Sequence, residues 1–184
     1  MKIIPTPLKG LLVIEPRIAT DERGSFFESF NERLLAEHGI ADKFVQDNQS
    51  ISSKNVLRGL HFQKPPFEQG KLVRVVSGRA LDVVVDIRRD SETFGKHFSL
   101  ELSGENNKMM WIPGGFAHGF LSLEDKTVFL YKVTQYYEPS SEGGILYNDP
   151  ELNIDWKVSD PVISKKDKVL PTFGEFRQQV ASKH

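Results

Sequence analysis

Apolar and polar positions alternate with a period of two through most of the chain, as strands do when one face is turned to a core. In "LDVVVDIR" (81–88), Leu81, Val83, Val85 and Ile87 share one face, while Asp82, Val84, Asp86 and Arg88 share the other. "LRGLHFQ" (57–63), "KLVRVV" (71–76), "HFSLELS" (97–103), "GFLSL" (119–123) and "TVFLYKVTQ" (127–135) read the same way. Turn signals separate them: "SG" at 77–78, "SGENN" at 103–107, "PGG" at 113–115 and "EDK" at 124–126. Many short strands at close spacing predict a β-sandwich or barrel.

One segment departs from the alternation. "NERLLAEHGI" (31–40) offers Asn31 as an N-cap, Leu34 and Leu35 as an apolar face and Gly39 as a stop. It predicts a short helix near residues 31–39, packed outside the sheet. The C-terminal stretch is looser, broken by Pro150, Pro161 and Pro171, and "SDPVISKKD" reads as a docked tail or short helix. With no internal repeat, low-complexity tract or linker, residues 1–184 are expected to form a single domain.

Composition narrows the function classes. A chain of 184 residues, 39% hydrophobic and 27% charged, can bury a substantial core. A net charge of −1 argues against nucleic-acid binding, which calls for a basic excess. The absence of cysteine excludes disulfides, thiolate nucleophiles and cysteine-based metal sites. Pro5 and Pro7 interrupt the N-terminal apolar run, and no stretch approaches the roughly 18 apolar residues of a membrane span. A soluble, cytoplasmic protein without membrane contact is expected.

The candidate chemistry lies in polar residues that strands would not ordinarily carry. Of five histidines, His38 closes the helix, His97 opens a strand and His184 is terminal, so all three are expected at the surface. His61 in "GLHF" and His118 in "GFAHGF" instead lie in apolar segments and are placed in the interior. Metal-binding barrels of this kind pair two histidines as His-x-His on one strand face, but Gly59 and Gln63 flank His61 at that spacing. No metal and no other cofactor is therefore expected.

Lys71 in "QGKLVRVV" is costly to bury unless paired or chemically employed, and otherwise would snorkel to a strand edge. Tyr131 alternates with Phe129 and Val133, so its ring belongs in the core and its hydroxyl needs a partner or a substrate. Arg58 and His61 are three apart and should face opposite sides of a regular strand; Gly59 between them suits a bulge that re-aims one of them.

Taken together, "DERGSFFESF", "FVQDNQS", "LRGLHFQ", "QGKLVRVVSG", "WIPGGFAHGF" and "FLYKVTQYYEPSSEGG" resemble the dTDP-4-dehydrorhamnose 3,5-epimerase family, collinearly from about residue 12 to 167. The resemblance implies a mainly β, cupin-type jelly-roll barrel that acts as a metal-free homodimer in making dTDP-L-rhamnose for bacterial cell envelopes. Carried over by position, the family's base falls on His61, its partner aspartate on Asp167 and its proton donor on Tyr131. The cation near the sugar oxygen falls on Lys71, and a further substrate contact on His118. Nucleotide and diphosphate contacts fall on Arg23, Glu28, Gln46, Asn48, Arg58, Glu142 and Lys166. Phe26 and Tyr137 are candidates to stack on thymine. Asp167 lies in a tail that gives no other reason to single it out.

The chemistry suits these residue types. In the implied substrate, dTDP-4-dehydro-6-deoxy-D-glucose, a C4 ketone acidifies the protons on C3 and C5. Inversion needs a base on one face, an acid on the other, and positive charge at the oxygen that becomes an enolate. Histidine serves as base near neutral pH, a carboxylate fixes its tautomer, and tyrosine holds a proton to deliver. Lysine offers a compact ammonium to the enolate, and Arg58 and Lys166 supply local charge for the diphosphate. Three alternatives remain: epimerisation at one carbon only, a metal-dependent cupin oxidoreductase, and a nucleotide-sugar binding module without catalysis.

Overall fold

The alternating segments become two facing sheets in the computed structural model, which describes residues 1–181; His184 lies outside them. The N-terminal part supplies β1 (Lys2–Pro5), β2 (Leu12–Glu15), β3 (Ala19–Asp21), β4 (Gly24–Phe26), helix α1 (Glu32–Glu37) and β5 (Gln46–Ser52). The middle is almost continuous strand: β6 (Val56–Gln63), β7 (Lys71–Ser77), β8 (Arg79–Asp86), β9 (His97–Ser103), β10 (Met109–Ile112), β11 (Phe116–Ser122) and β12 (Thr127–Val133). The tail adds β13 (Glu142–Gly144), β14 (Val162–Ile163) and helix α2 (Phe173–Ala181).

One sheet runs β1-β2-β10-β7-β12-β5 and the other β13-β6-β11-β8-β9, with β14 also on β6 and β3–β4 standing apart as a hairpin. No ladder joins the two large sheets among the described residues, so the expected barrel is a flattened jelly roll with open seams.

Period two sets the layers. Val73, Val75, Met110, Ile112 and Phe129 from the first sheet meet Val84, Leu102, Phe116 and Phe120 from the second in the shared core. Both outer faces are covered as well. Leu35 of α1 packs with Ile40 over Leu72, Met109 and Trp111, and Leu152, Trp156, Phe173 and Phe176 of the tail cover Val83, Val85, Ala117 and Leu121. Each large apolar side chain so buried contributes about 1.5–3 kcal/mol. The tail is thus pinned to the back of the sheet that carries His61.

Local detail follows the sequence closely. The Asn31 side chain accepts the Leu34 N–H at 3.1 Å, Leu35 is the helix's buried residue, and Gly39 adopts φ +83° beyond the helix end. Strand β8 stops at Asp86 and not at Arg88, because Arg88 turns back to donate to the Asp86 carboxylate at 2.7 and 2.9 Å. The mixed face of β8 is the inward one: Ala80 and Val84 lie in the core, with Asp82 between them.

Candidate active site

Strand β6 resolves the conflict between Arg58 and His61. His61 stands opposite His118 on β11, and Arg58 stands opposite Phe120, so β6 carries one residue more than its partner. The bulge centres on Gly59, whose φ of +131° is open to glycine. A Cβ there would come within 2.5 Å of the Gly119 Cα. As a result both Arg58 and His61 reach the same interior cavity.

The outer edge of β6 is paired by β13 along one end and β14 along the other. Between them a 3-10 turn, Asp167–Val169, brings its first side chain to the bulge. Asp167 Oδ2 accepts the Gly59 N–H at 3.3 Å, and Oδ1 lies 2.7 Å from His61 Nε2. A carboxylate only accepts, so Nε2 carries the hydrogen and Nδ1 is left to take a proton. Burial would push the Asp167 carboxyl up, but the bonds from His61, Gly59 and Ser164 outweigh it and hold the carboxyl below its ordinary value.

A second pair lies beside the first. His118 Nε2 donates to both oxygens of Asp82, at 3.1 and 2.9 Å. Burial depresses the His118 imidazole, and Asp82 offsets only part of that. Lys71 enters from β7 on the facing sheet and does not snorkel: it is buried, and desolvation lowers its ammonium to about 8 against the pull of Asp82. Among the described residues no carboxylate lies within ion-pair distance of Lys71.

The cavity between the sheets measures about 630 Å³. His61 and Arg58 come from one wall, and Lys71, Tyr131, Phe129, Asn48 and Ser50 from the other. Tyr131 is half-buried, and burial pushes its phenol up, with Arg58 opposing. An adjoining region of about 290 Å³ shares His61, Lys71, Asn48 and Tyr131 and extends to Gln46, Tyr137 and Glu142. At this mouth Lys166 pairs with Glu142 at 2.5 Å, Tyr137 donates to Glu142 at 2.7 Å and Gln46 donates to Asn48 at 2.8 Å.

Ten of the twelve sequence candidates line these two connected spaces: His61, Lys71, Tyr131, Asp167, His118, Arg58, Gln46, Asn48, Glu142 and Lys166. Arg23 and Glu28 do not. Arg23 sits in the β3–β4 turn paired with Asp21 at 2.5 Å, and Glu28 accepts from Asn31 beyond the hairpin. Phe26 lies on β4, 73% exposed. Among the described residues the strands of the hairpin pair only with each other, and Arg23, Phe26 and Glu28 stand apart from the chain's own cavity. Among the described residues no three His, Asp or Glu side chains cluster as metal ligands.

Two residues escaped the sequence reading. Asp82 is wholly buried behind His118, and its signal was a carboxylate alternating with apolar neighbours on β8, a signal that the structural Asp86 gives equally. Ser50 places a buried hydroxyl in the cavity without a hydrogen-bond partner among the described residues. Chemically, the cavity pairs a carboxylate-oriented imidazole on one wall with a protonated phenol and a desolvated ammonium on the other. Such a set can remove a proton from carbon, stabilise the oxyanion formed and return a proton from the far side.

Comparison with known proteins follows the same line. Residues 5–175 match the family model described as dTDP-4-dehydrorhamnose 3,5-epimerase. A relative of that name from Salmonella typhimurium is 51% identical over 173 residues, 93% of this chain and 94% of the relative. A dTDP-6-deoxy-D-glucose-3,5-epimerase from Legionella pneumophila, solved with dTDP-4-keto-L-rhamnose, superposes with TM-score 0.92 at 49% identity, covering 97% and 96% of the two chains. A 3'-monoepimerase from Streptomyces bikiniensis, solved with dTDP-quinovose, superposes with TM-score 0.90 at 30% identity, covering 96% and 90%. The flattened jelly roll is thus of the cupin type found in these epimerases.

Proposed function

The chain belongs to the dTDP-4-dehydrorhamnose 3,5-epimerase family, and from that premise we propose how its cavity inverts C3 and C5 of dTDP-4-dehydro-6-deoxy-D-glucose. The enzyme is an isomerase, and the product, dTDP-4-dehydro-L-rhamnose, belongs to dTDP-L-rhamnose biosynthesis. The observation that carries the assignment of roles is that His61 and Tyr131 face one cavity from opposite sheets, with Lys71 buried between them.

His61 Nδ1 removes the proton from the carbon beside the ketone, and the bond to Asp167 stabilises the imidazolium that results. The electrons of the broken C–H bond move onto the C4 oxygen, where the Lys71 ammonium meets them. With its phenol pushed up by burial, Tyr131 keeps its proton at neutral pH and gives it to carbon from the opposite face. Arg58 and Lys166 grip the diphosphate, while Gln46, Asn48, Glu142 and Tyr137 hold the nucleotide at the mouth. Binding at that remote end keeps the sugar in register over His61.

The whole 184-residue chain acts as one epimerase domain. The protein works as a homodimer in which the β3–β4 hairpin of one chain offers Arg23, Glu28 and the exposed Phe26 to the cavity of the other. A cytoplasmic location suits a nucleotide-sugar substrate, and among the described residues no helix is long and apolar enough to cross a membrane. Inversion at both carbons is favoured over one because the monoepimerase is 30% identical, against 51% for the 3,5-epimerase.

Incubation with dTDP-4-dehydro-6-deoxy-D-glucose in deuterated water, read by proton NMR, tests this. Deuterium at both C3 and C5 is expected. Label at one carbon alone would replace the assignment by a monoepimerase, and no label would overturn the substrate.

A further inference from the structure

Asp82 is a fully buried carboxylate behind the cavity wall that the mechanism above leaves without a task. It touches no part of the cavity wall, whereas its two dependants, His118 and Lys71, both do. It accepts both bonds from His118 Nε2, whose ring shares the cavity with the buried Lys71, and its negative charge favours the Lys71 ammonium that burial opposes. Without it, a buried ammonium and a buried imidazole would share the cavity with no carboxylate among the described residues bonded to either.

The surroundings make that charge consequential. Facing Lys71 and His118 are Arg58 and His61 from β6 and Tyr131 from β12, with Asp167 behind His61 and Glu142 at the mouth. Proton abstraction turns His61 positive, adding a cation beside two existing ones. Each added positive charge favours loss of the Lys71 proton at the moment the enolate needs it.

We infer that Asp82 is a positioning residue for the epimerisation: it keeps Lys71 an ammonium and fixes His118 as the Nε2–H tautomer, so that substrate meets one cation and one lone-pair acceptor. This inference rests on the function proposed above and assigns it a division of labour. Lys71 alone carries the enolate oxygen, while His118 Nδ1 accepts from a sugar hydroxyl and takes no part in proton transfer to carbon.

The test compares full-length wild type with Asp82→Asn, which keeps size and can still accept from His118. Two readouts are taken: the pH profile of kcat, and the titration of Lys71 Nζ by NMR on ¹⁵N-lysine-labelled protein, assigned with Lys71→Arg. In the variant, the Nζ midpoint and the alkaline limb of kcat are expected to fall together by about one pH unit or more, with KM changing less. A uniform loss of kcat at every pH with an unmoved midpoint would overturn the inference and leave Asp82 a packing residue.

Failure of the proposed function reads differently, since wild type would then show no deuterium exchange at either carbon while the Nζ titration still reported on Asp82. Should Asp82→Asn not fold, ¹⁵N shifts of the His118 ring in wild type decide the matter. The Nε2–H form at pH 7 is expected, and the Nδ1–H form or an imidazolium would overturn the inference.

Discussion

The two histidine–aspartate pairs of the cavity use the same residue types at similar distances, 2.7 Å for His61–Asp167 and 2.9 Å for His118–Asp82. They differ in what surrounds them. The His61 side chain is 34% exposed and that of His118 8%. Asp167 arrives 106 residues away from its histidine on a docked tail, whereas Asp82 belongs to the strand next to His118. A base must reach its substrate and afterwards hold a positive charge. The open ring, next to an anion held below its ordinary value, can do both. The sealed ring also lines the cavity, but depressed by burial and facing Lys71 it is poorly placed to hold a positive charge, and is suited to neutral hydrogen bonding. Bond geometry therefore does not mark the base. Access and the charge nearby do.

The strongest test of that contrast replaces each histidine in turn. His61→Asn removes the base, and deuterium exchange at C3 and C5 is expected to fall toward the upper end of the roughly 10²–10⁴-fold that a general base contributes. If His118→Asn cost as much in the same assay, the distinction between the two pairs would collapse. Asp167→Asn sharpens the comparison from the other side. The amide can turn its NH₂ toward His61 and favour the wrong tautomer, so kcat should drop within the same range of roughly 10²–10⁴-fold, with KM little changed.

Much of this arrangement was legible in the chain. Alternation placed the strands and capping placed α1; "LRGLHFQ" announced its bulge because Arg58 and His61 cannot otherwise share a face. Lys71 shows where pattern reading runs out, since a lysine on an apolar strand reads the same whether it snorkels or is buried. Asp167 was reachable only through family resemblance. Its meaning depends on a tail that docks beside β6 from far along the chain, and no local periodicity records such a contact. Asp82 lay in plain view, yet Asp86, four residues on along the same face, carries the same signal while its side chain binds Arg88, Ser91 and Thr93.

His118→Asn is expected to have a smaller and different effect. Losing one neutral hydrogen bond to substrate is worth about 1 kcal/mol, roughly a fivefold rise in KM, with exchange at both carbons preserved. Steady-state kinetics on the deuterated assay would read it, and a fall in kcat without change in KM would return His118 to the proton-transfer machinery.

The smallest effect concerns stability, and it too separates the pairs. Because the Asp167 carboxyl is held below its ordinary value when folded, its contribution is complete above the unfolded value of about 3.9 and lost as pH falls through the folded one. Asp167→Asn retains an acceptor for the Gly59 N–H but gives up the charge-assisted bond to His61. At pH 7 the variant should be less stable by about 1 kcal/mol in urea unfolding. That difference should persist down to the ordinary aspartate range and close below it, where wild type carries the same uncharged group. A gap that stayed constant into acid would mean that the tail is held at β6 by packing of Trp156, Phe173 and Phe176 alone, with Asp167 serving only to orient the base.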